Sequence, residues 1–162
     1  MPDSKILIST KGDTETLWAT SLGQDLYRLE NSPFYAYNVS WQDVVLAPPA
    51  GENNFPTFQR VVETSGNRTI RVIYETPVGG GEVPDQVNQA LNQLECSYEG
   101  ADKTYLSYNI PPGVELGKVV QILTGQPLKW EYADPSYAVL FPPDQETPVS
   151  KDRASWSKRL FK

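Results

Sequence analysis

The chain has 162 residues, of which 39% are hydrophobic and 21% are charged, so it has enough apolar material for a core and is not an intrinsically disordered chain. It carries a net charge of −6, contains no histidine and has a single cysteine, Cys96. This composition excludes a Ser-His-Asp triad, zinc sites built from Cys and His, and an intramolecular disulfide.

The acidic charge is unevenly distributed along the chain. Segment 151–162 has five basic residues and one acidic residue, so its net charge is +4. Since the whole chain carries −6, residues 1–150 carry a net charge of −10. An acidic body repels nucleic-acid phosphates and attracts basic proteins, although it also maintains solubility. The sequence shows no secretory signal pattern and no apolar stretch of membrane-helix length. We therefore expect a cytoplasmic protein with neither a membrane nor a nucleic-acid partner.

The first 65 residues predict β-structure. Short candidate strands separated by turn residues occur at 15–19, 26–29, 34–37, 43–47 and 57–62. Several short strands at this spacing are typical of a small barrel or a curled sheet. The N-terminal part is therefore interpreted as a β-barrel-like lobe.

The second part of the chain changes its periodicity. Residues 69–75 alternate as a strand, a helix begins near Pro84, and strands are predicted at 96–98 and 104–110. A second helix over 116–123, with Gly125 as its C-terminal cap, precedes a strand at 128–132. The order β-α-β-β-α-β is the ferredoxin-like pattern, with four antiparallel strands and both helices on one face.

The overall prediction is an α+β fold with two lobes. A small β-barrel-like lobe over residues 1–65 packs on a ferredoxin-like lobe over residues 66–135. Residues 136–162 are interpreted as a linker and a basic tail, with 138–141 as a candidate last strand. In the tail, Trp156 and Leu160 lie four residues apart among basic residues, which suits either a docking helix or a solvated end.

No catalytic, cofactor or metal template is recognised. Gly79–Gly81 lacks the lysine and the hydroxyl residue of a phosphate-binding loop. Cys96 begins a candidate strand and is interpreted as a buried structural thiol. Glu131 and Asp134 are interpreted as solvated surface charges. We expect a non-enzymatic protein with no cofactor and no metal; an enzyme would need a pocket with paired carboxylates or a Tyr-Arg pair.

Two groups of side chains are candidates for binding. Arg71 lies on the opposite side of its strand from Ile70 and Val72, which suggests that it bridges the two lobes by pairing with a carboxylate. The rings of segment 34–37 cannot all lie on one face of a strand. Some of Tyr35, Tyr37 and Trp41 are therefore expected to be exposed, which is typical of protein interfaces.

The sequence resembles a bacterial family catalogued as domain of unknown function 4265. The similar blocks lie at 15–19, 27–36, 39–40, 43–45, 62–72, 111–114 and 130–132, and the resemblance spans roughly residues 8–134. In the family a glycine often precedes the Val-Ser pair and another the Asp-Val-Val run, where this chain has Asn38 and Gln42. Both residue types are tolerated in turns. Small acidic members of such families look like immunity proteins, an analogy that no residue here carries.

Two functional hypotheses follow. The first is a non-catalytic acidic binding module, an immunity protein that neutralises a basic toxin domain by direct binding. Its candidate contacts are Tyr35, Tyr37, Trp41, Asp43, Glu95, Glu99 and Asp102. The alternative is a small-molecule sensor or regulatory domain whose site is formed by Arg68, Arg71 and Gly79–Gly81.

Overall fold

The computed structural model describes residues 1–143. Seven strands come first: β1 (Ser4–Ser9), β2 (Thr14–Gly23), β3 (Leu26–Leu29), β4 (Val44–Leu46), β5 (Pro49–Ala50), β6 (Phe55–Pro56) and β7 (Arg60–Glu63). The remaining elements are β8 (Arg68–Tyr74), α1 (Glu82–Gln93), β9 (Ser97–Gly100), β10 (Tyr105–Ile110), α2 (Leu116–Leu123), β11 (Leu128–Asp134) and α3 (Tyr137–Leu140). The fold is mixed α/β and consists mostly of strands.

The N-terminal strands form an open sheet. Its order is β1-β2-β3-β4-β7 with antiparallel neighbours, and β5 pairs with β6 in a separate two-stranded hairpin. The prediction of a barrel is wrong, because the sheet is not closed. Between β4 and β7 the chain contains Pro48, Pro49 and Pro56, and proline has no N–H to donate to a ladder. A single parallel bridge, Leu7 to Thr57, approaches β1 there.

Apolar side chains alternate along the strands of this first sheet. Ile6, Ile8, Leu17, Ala19 and Leu29 are buried in one cluster. The strand β1 was not predicted, because its apolar run of three residues is short. Segment 34–37 is a loop rather than a strand.

The second sheet has the order β11-β8-β10-β9, and all its neighbours are antiparallel. Its strands and the helices α1 and α2 follow one another along the chain in the predicted order. Segment 138–141 is predicted as a strand, but its first three residues belong to the short helix α3. Among residues 1–143, no helix is both long and apolar enough to cross a membrane.

One face of the second sheet packs against the helices. Ile70, Val72 and Tyr74 of β8 share a buried cluster with Leu91 of α1 and Leu123 of α2. Period-two alternation along the strand and 3.6-residue periodicity along the helices account for this packing. After α2, Gly125 has a φ of 81°, the left-handed conformation of the predicted C-terminal cap.

The other face of the second sheet is covered by the loop between β3 and β4, residues 30–43, here called the covering loop. Ser107 Oγ of β10 donates to the carbonyl of Pro33 at 2.9 Å, and the Tyr105 hydroxyl donates to the carbonyl of Phe34. The amide of Ser32 donates to Glu99 of β9 at 3.3 Å. The covered face is therefore polar, in contrast to the apolar face beneath the helices.

Candidate functional site

The covering loop is held in place by a buried carboxylate of the first sheet. Glu15 of β2 accepts hydrogen bonds from three successive amides, those of Phe34 at 2.9 Å, Tyr35 at 3.3 Å and Ala36 at 3.1 Å. Successive backbone N–H groups that converge on one anion form a concave binding site for negative charge. Glu15 therefore fixes the path of the backbone that carries Tyr35 and Tyr37.

Two residues of the covering loop adopt a left-handed backbone. Asn38 has a φ of 59° and Gln42 a φ of 70°. Glycine adopts this region without steric cost, and asparagine does so more readily than most residues. Asn38 also joins the loop to the end of β11. Its backbone N–H donates to Ala133 O at 2.8 Å, and its side-chain Oδ1 accepts from the backbone N–H of Ser136 at 2.9 Å.

A buried ion pair lies beneath the loop. The Arg71 side chain is 0% exposed, and its Nε donates to Glu131 Oε1 of the neighbouring strand at 2.9 Å. Its Nη1 donates to the carbonyl of Ala36 at 3.0 Å, and its guanidinium carbon lies 4.5 Å from the centre of the Tyr37 ring. Arg71 thus joins the second sheet to the covering loop, as predicted, but it does so through the Ala36 carbonyl and the Tyr37 ring. The carboxylate with which it pairs, Glu131, lies in its own sheet and not in the other lobe.

Glu131 is 8% exposed, so its interpretation as a solvated surface charge is wrong. Its Oε2 accepts a hydrogen bond from the Tyr37 hydroxyl at 2.8 Å. Burial raises the pKa of Glu131, and the positive charge of Arg71 opposes that rise. Asp134 is also partly buried and not a free surface charge: it accepts from Ser40 Oγ at 2.6 Å, and burial raises its pKa.

A cavity of about 800 Å³ opens beside this ion pair. Its walls are the end of β1 with the following turn, the covering loop, β11 and the start of α3. The described residues that line it are Ile8, Ser9, Thr10, Lys11, Tyr35, Ala36, Tyr37, Val39, Phe58, Trp130, Glu131, Tyr132, Ser136, Tyr137 and Ala138. Its size and its aromatic lining with few polar groups are those of small-molecule sites.

The predicted partner-binding residues of the covering loop have different environments. Tyr35 and Tyr37 are partly buried and line the cavity. Trp41 is partly buried, and its carbonyl accepts from Ser65 Oγ at 2.8 Å. Asp43 is 1% exposed and accepts from the amides of Ser40 and Ser65 at 2.9 and 2.7 Å. Asp43 is therefore enclosed in a turn of the fold rather than presented to a partner.

The three acidic candidates lie in or next to the edge strand β9 but differ in exposure. Glu95 is exposed and lies between α1 and β9. Glu99 is partly buried and accepts from Asn31 Nδ2 at 3.2 Å, and burial raises its pKa. Asp102 is exposed, and amide hydrogen bonds from Thr104 and Tyr105 lower its pKa. Two of the three are thus accessible, and Glu99 instead holds the covering loop.

The residues of the predicted sensor site do not come together. Arg68 Nη2 donates to the carbonyl of Pro111 at 2.7 Å and to that of Val114, whereas Arg71 points to the opposite face of β8. Arg68 begins this seven-residue strand, whose ends are about 20 Å apart, and Gly79–Gly81 follows its other end.

The environment of Cys96 and the grouping of acidic side chains complete the description of the candidate residues. Cys96 is buried, and burial raises its pKa to about 11, as expected for a structural thiol. In the part of the chain that the structure describes, no group of three or more Cys, Asp or Glu side chains could hold a metal ion.

Sequence reasoning missed most of the cavity wall. Phe58, Trp130 and Glu131, which line the cavity, were not proposed as site residues. Neither was Glu15, which holds the covering loop. One usable signal was present: Glu131 alternates with Trp130 and Tyr132 as Arg71 alternates with Ile70 and Val72. Two opposite charges on the polar faces of adjacent strands indicate a cross-strand pair.

Comparison with known proteins identifies the family. The family model described as Domain of unknown function (DUF4265) matches residues 15–132. The chain belongs to this family. The matched DUF4265 range includes Glu15, the covering loop, Arg71 and Glu131. A comparison with curated proteins found no match.

One solved structure resembles this DUF4265 chain. It is the crystal structure of a hypothetical protein from Neisseria gonorrhoeae, with a TM-score of 0.69 and 20% sequence identity over 85% of this chain and 97% of that one. At this identity the likeness concerns the fold alone.

Proposed function

We propose that the protein is a non-catalytic binding module that holds a small organic ligand in the cavity beside β11. In this proposal a ferredoxin-like lobe packs against the N-terminal sheet, and the cavity lies where the two meet the covering loop. The observation that carries the proposal is a cavity of about 800 Å³ lined by aromatic rings and a buried carboxylate. Pockets of this size and character bury most of the surface of a small ligand.

The walls of the cavity are held by hydrogen bonds within the fold. Glu15 binds the amides of residues 34–36, and Asn38 joins the loop to Ala133 and Ser136. A wall that is ordered before the ligand arrives loses little conformational entropy on binding. This preorganisation supports a binding site rather than a surface depression. Catalysis stays an alternative, for which turnover of a bound ligand would decide.

The test is a thermal-shift screen of metabolites on the full chain, with two neighbouring variants. Ala138 and Val139 are both exposed, but of the two only Ala138 lines the cavity. A ligand present at a hundred times its Kd should raise the Tm by about 5–10 °C. Ala138→Phe should remove this shift by narrowing the cavity, and Val139→Phe should retain it. A broad screen without any shift, or a shift that Ala138→Phe leaves intact, would reject the cavity as the site.

A second candidate function is neutralisation of a basic toxin domain, with the edge strand β9 as the contact. It is favoured by the exposure of Glu95, Tyr98 and Asp102 along that edge. An acidic edge accelerates encounter with a basic partner in a salt-dependent manner. Either function is proposed for the cytoplasm, which the single buried thiol supports.

The toxin proposal is tested by co-purification from the source bacterium and mass spectrometry. A stoichiometric basic partner that is toxic when expressed alone is the expected result. Glu95→Lys should weaken that complex, and Glu52→Lys, also at an exposed position, serves as a matched control away from β9. Equal binding by both variants would show that β9 is not the contact surface.

A further inference from the structure

We infer that the ligand of the cavity is a neutral aromatic molecule with an O–H or N–H group, which it donates to Glu131. This inference rests on the proposed function and specifies its ligand class. Three features of the cavity support it: the hydrogen-bonding capacity of Glu131, the charges around it and the arrangement of the rings.

The Glu131 carboxylate can accept more hydrogen bonds than its described partners supply. A carboxylate offers about four acceptor positions on its two oxygens. Among residues 1–143, Arg71 Nε reaches Oε1 and the Tyr37 hydroxyl reaches Oε2. Glu131 lines the cavity and is 8% exposed, so the capacity that remains is available to a donor inside the cavity.

The charges around the cavity select a neutral ligand. An anionic ligand would bring a second negative charge next to Glu131, which is unfavourable at short range. A cationic ligand would meet Arg71, whose Nε lies 2.9 Å from Glu131 Oε1, and Lys11, which also lines the cavity. Either ion would in addition lose its hydration on entry. A neutral hydroxyl or N–H group satisfies the carboxylate without these costs.

The aromatic rings that line the cavity favour an aromatic ligand. Trp130 and Tyr132 lie on the opposite face of β11 from Glu131, and all three line the cavity at this edge strand of the sheet. The Trp130 and Tyr132 rings meet edge to face with centroids 5.0 Å apart, and Tyr132 and Tyr137 are tilted with centroids 6.3 Å apart. Such arrangements are those in which aromatic side chains attract one another beyond simple burial. A planar ligand ring can extend the same contacts across the cavity. Its donor group would then lie at the ring edge, near Glu131.

The experiment compares four naphthalene probes of similar size by isothermal titration calorimetry on the full chain at pH 7. They are 2-naphthol, 2-methoxynaphthalene, 2-naphthoate and 2-(aminomethyl)naphthalene. The first is a neutral donor, the second lacks the donor, and the others are an anion and a cation. A hydrogen bond to a buried charged acceptor predicts that 2-naphthol binds at least about tenfold more tightly than 2-methoxynaphthalene. Both ions should bind more weakly than 2-naphthol.

The outcomes separate the ligand class from the proposed function. Binding of 2-naphthol and 2-methoxynaphthalene with equal affinity, lost in Ala138→Phe and kept in Val139→Phe, would overturn the donor requirement while retaining the cavity as a binding site. Tightest binding of 2-naphthoate or the ammonium probe would also overturn the inference. Absence of binding by all four probes at millimolar concentration would count against the proposed function itself. Because the ligand is changed and the carboxylate is not, the comparison does not depend on the folding of a Glu131 variant.

Discussion

Breaking the Arg71–Glu131 pair should cost more stability than replacing both of its members. The perturbation is a double-mutant cycle of Arg71→Met, Glu131→Leu and the combined variant, with apolar replacements of similar volume. Both side chains are buried, at 0% and 8% exposure, and their atoms Nε and Oε1 are 2.9 Å apart. Removing one member therefore leaves the other charge buried without its counterion.

The structure sets the expected magnitudes. Each single variant should lose about 3–5 kcal/mol of unfolding free energy, the usual cost of an uncompensated buried charge. The double variant loses two further interactions, the hydrogen bond from Arg71 to Ala36 O and the acceptor of the Tyr37 hydroxyl. Together these cost about 2–4 kcal/mol. The double variant should therefore be more stable than the sum of the singles predicts, with a coupling energy of about 2 kcal/mol or more.

The assay is urea unfolding at pH 7, followed by far-UV circular dichroism, with unchanged m-values as the check on a common unfolded state. The control cycle is Arg28→Gln and Glu30→Gln, at an ion pair whose side chains are 41% and 21% exposed. Its coupling should not exceed about 1 kcal/mol. Additive effects at Arg71 and Glu131 would refute the reasoning, because the two charges would then not depend on each other.

Three further predictions concern the covering loop. Burial raises the Glu99 pKa above 4.5, so the stability contributed by protonated Glu99 is complete below pH 4.5 and is lost as pH rises through the raised pKa. Glutamine resembles the protonated acid at every pH, so the free energy of unfolding of Glu99→Gln should rise relative to that of the wild type between pH 4 and pH 7. A pH-independent difference in urea unfolding would contradict this. Gln42→Gly should change the free energy of unfolding by less than about 1 kcal/mol, because relief of the φ of 70° offsets loss of the hydrogen bond from Nε2 to Glu30. Asn38→Gly should destabilise more, because it loses the hydrogen bond from the Ser136 amide, which ties the loop to the end of β11. The reverse order in chemical denaturation would be inconsistent with the loop geometry. Glu15→Ala should lose about 3 kcal/mol, since three amides lose a charged acceptor, and amide hydrogen exchange at residues 34–36 should accelerate; unchanged protection there would show that Glu15 does not hold the loop.

Local patterns in the sequence predicted the second sheet and its helices well. Alternation at Ile70, Val72 and Tyr74, helical spacing over 116–123 and the cap at Gly125 are each signals contained within a few neighbouring residues. The buried state of Cys96 and the bridging contacts of Arg71 also followed from local reasoning. These features were predictable because one element and one neighbouring face decide them.

The cavity was not predictable from such patterns. Its wall combines residues from β1, the covering loop, β11 and α3, which are far apart in the chain. Segment 34–37 has the aromatic content of a strand, but hydrogen bonding of its amides to Glu15 replaces a ladder with a loop. Asp43 and Glu99, predicted as partner contacts, bind backbone amides within the fold. Tertiary hydrogen bonding, which no single window of sequence reports, decided these positions.

The covered face of the second sheet has a consequence for the nascent chain. The contact of Tyr37 with Glu131 spans 94 residues, and that of Asn38 with Ser136 spans 98. At the usual rate of translation, roughly 5–20 s separate the synthesis of the loop from that of β11. During that interval Tyr35 and Tyr37 lack β11, whose residues line the cavity with them. The emerging polypeptide thus carries this aromatic loop for several seconds before β11 exists.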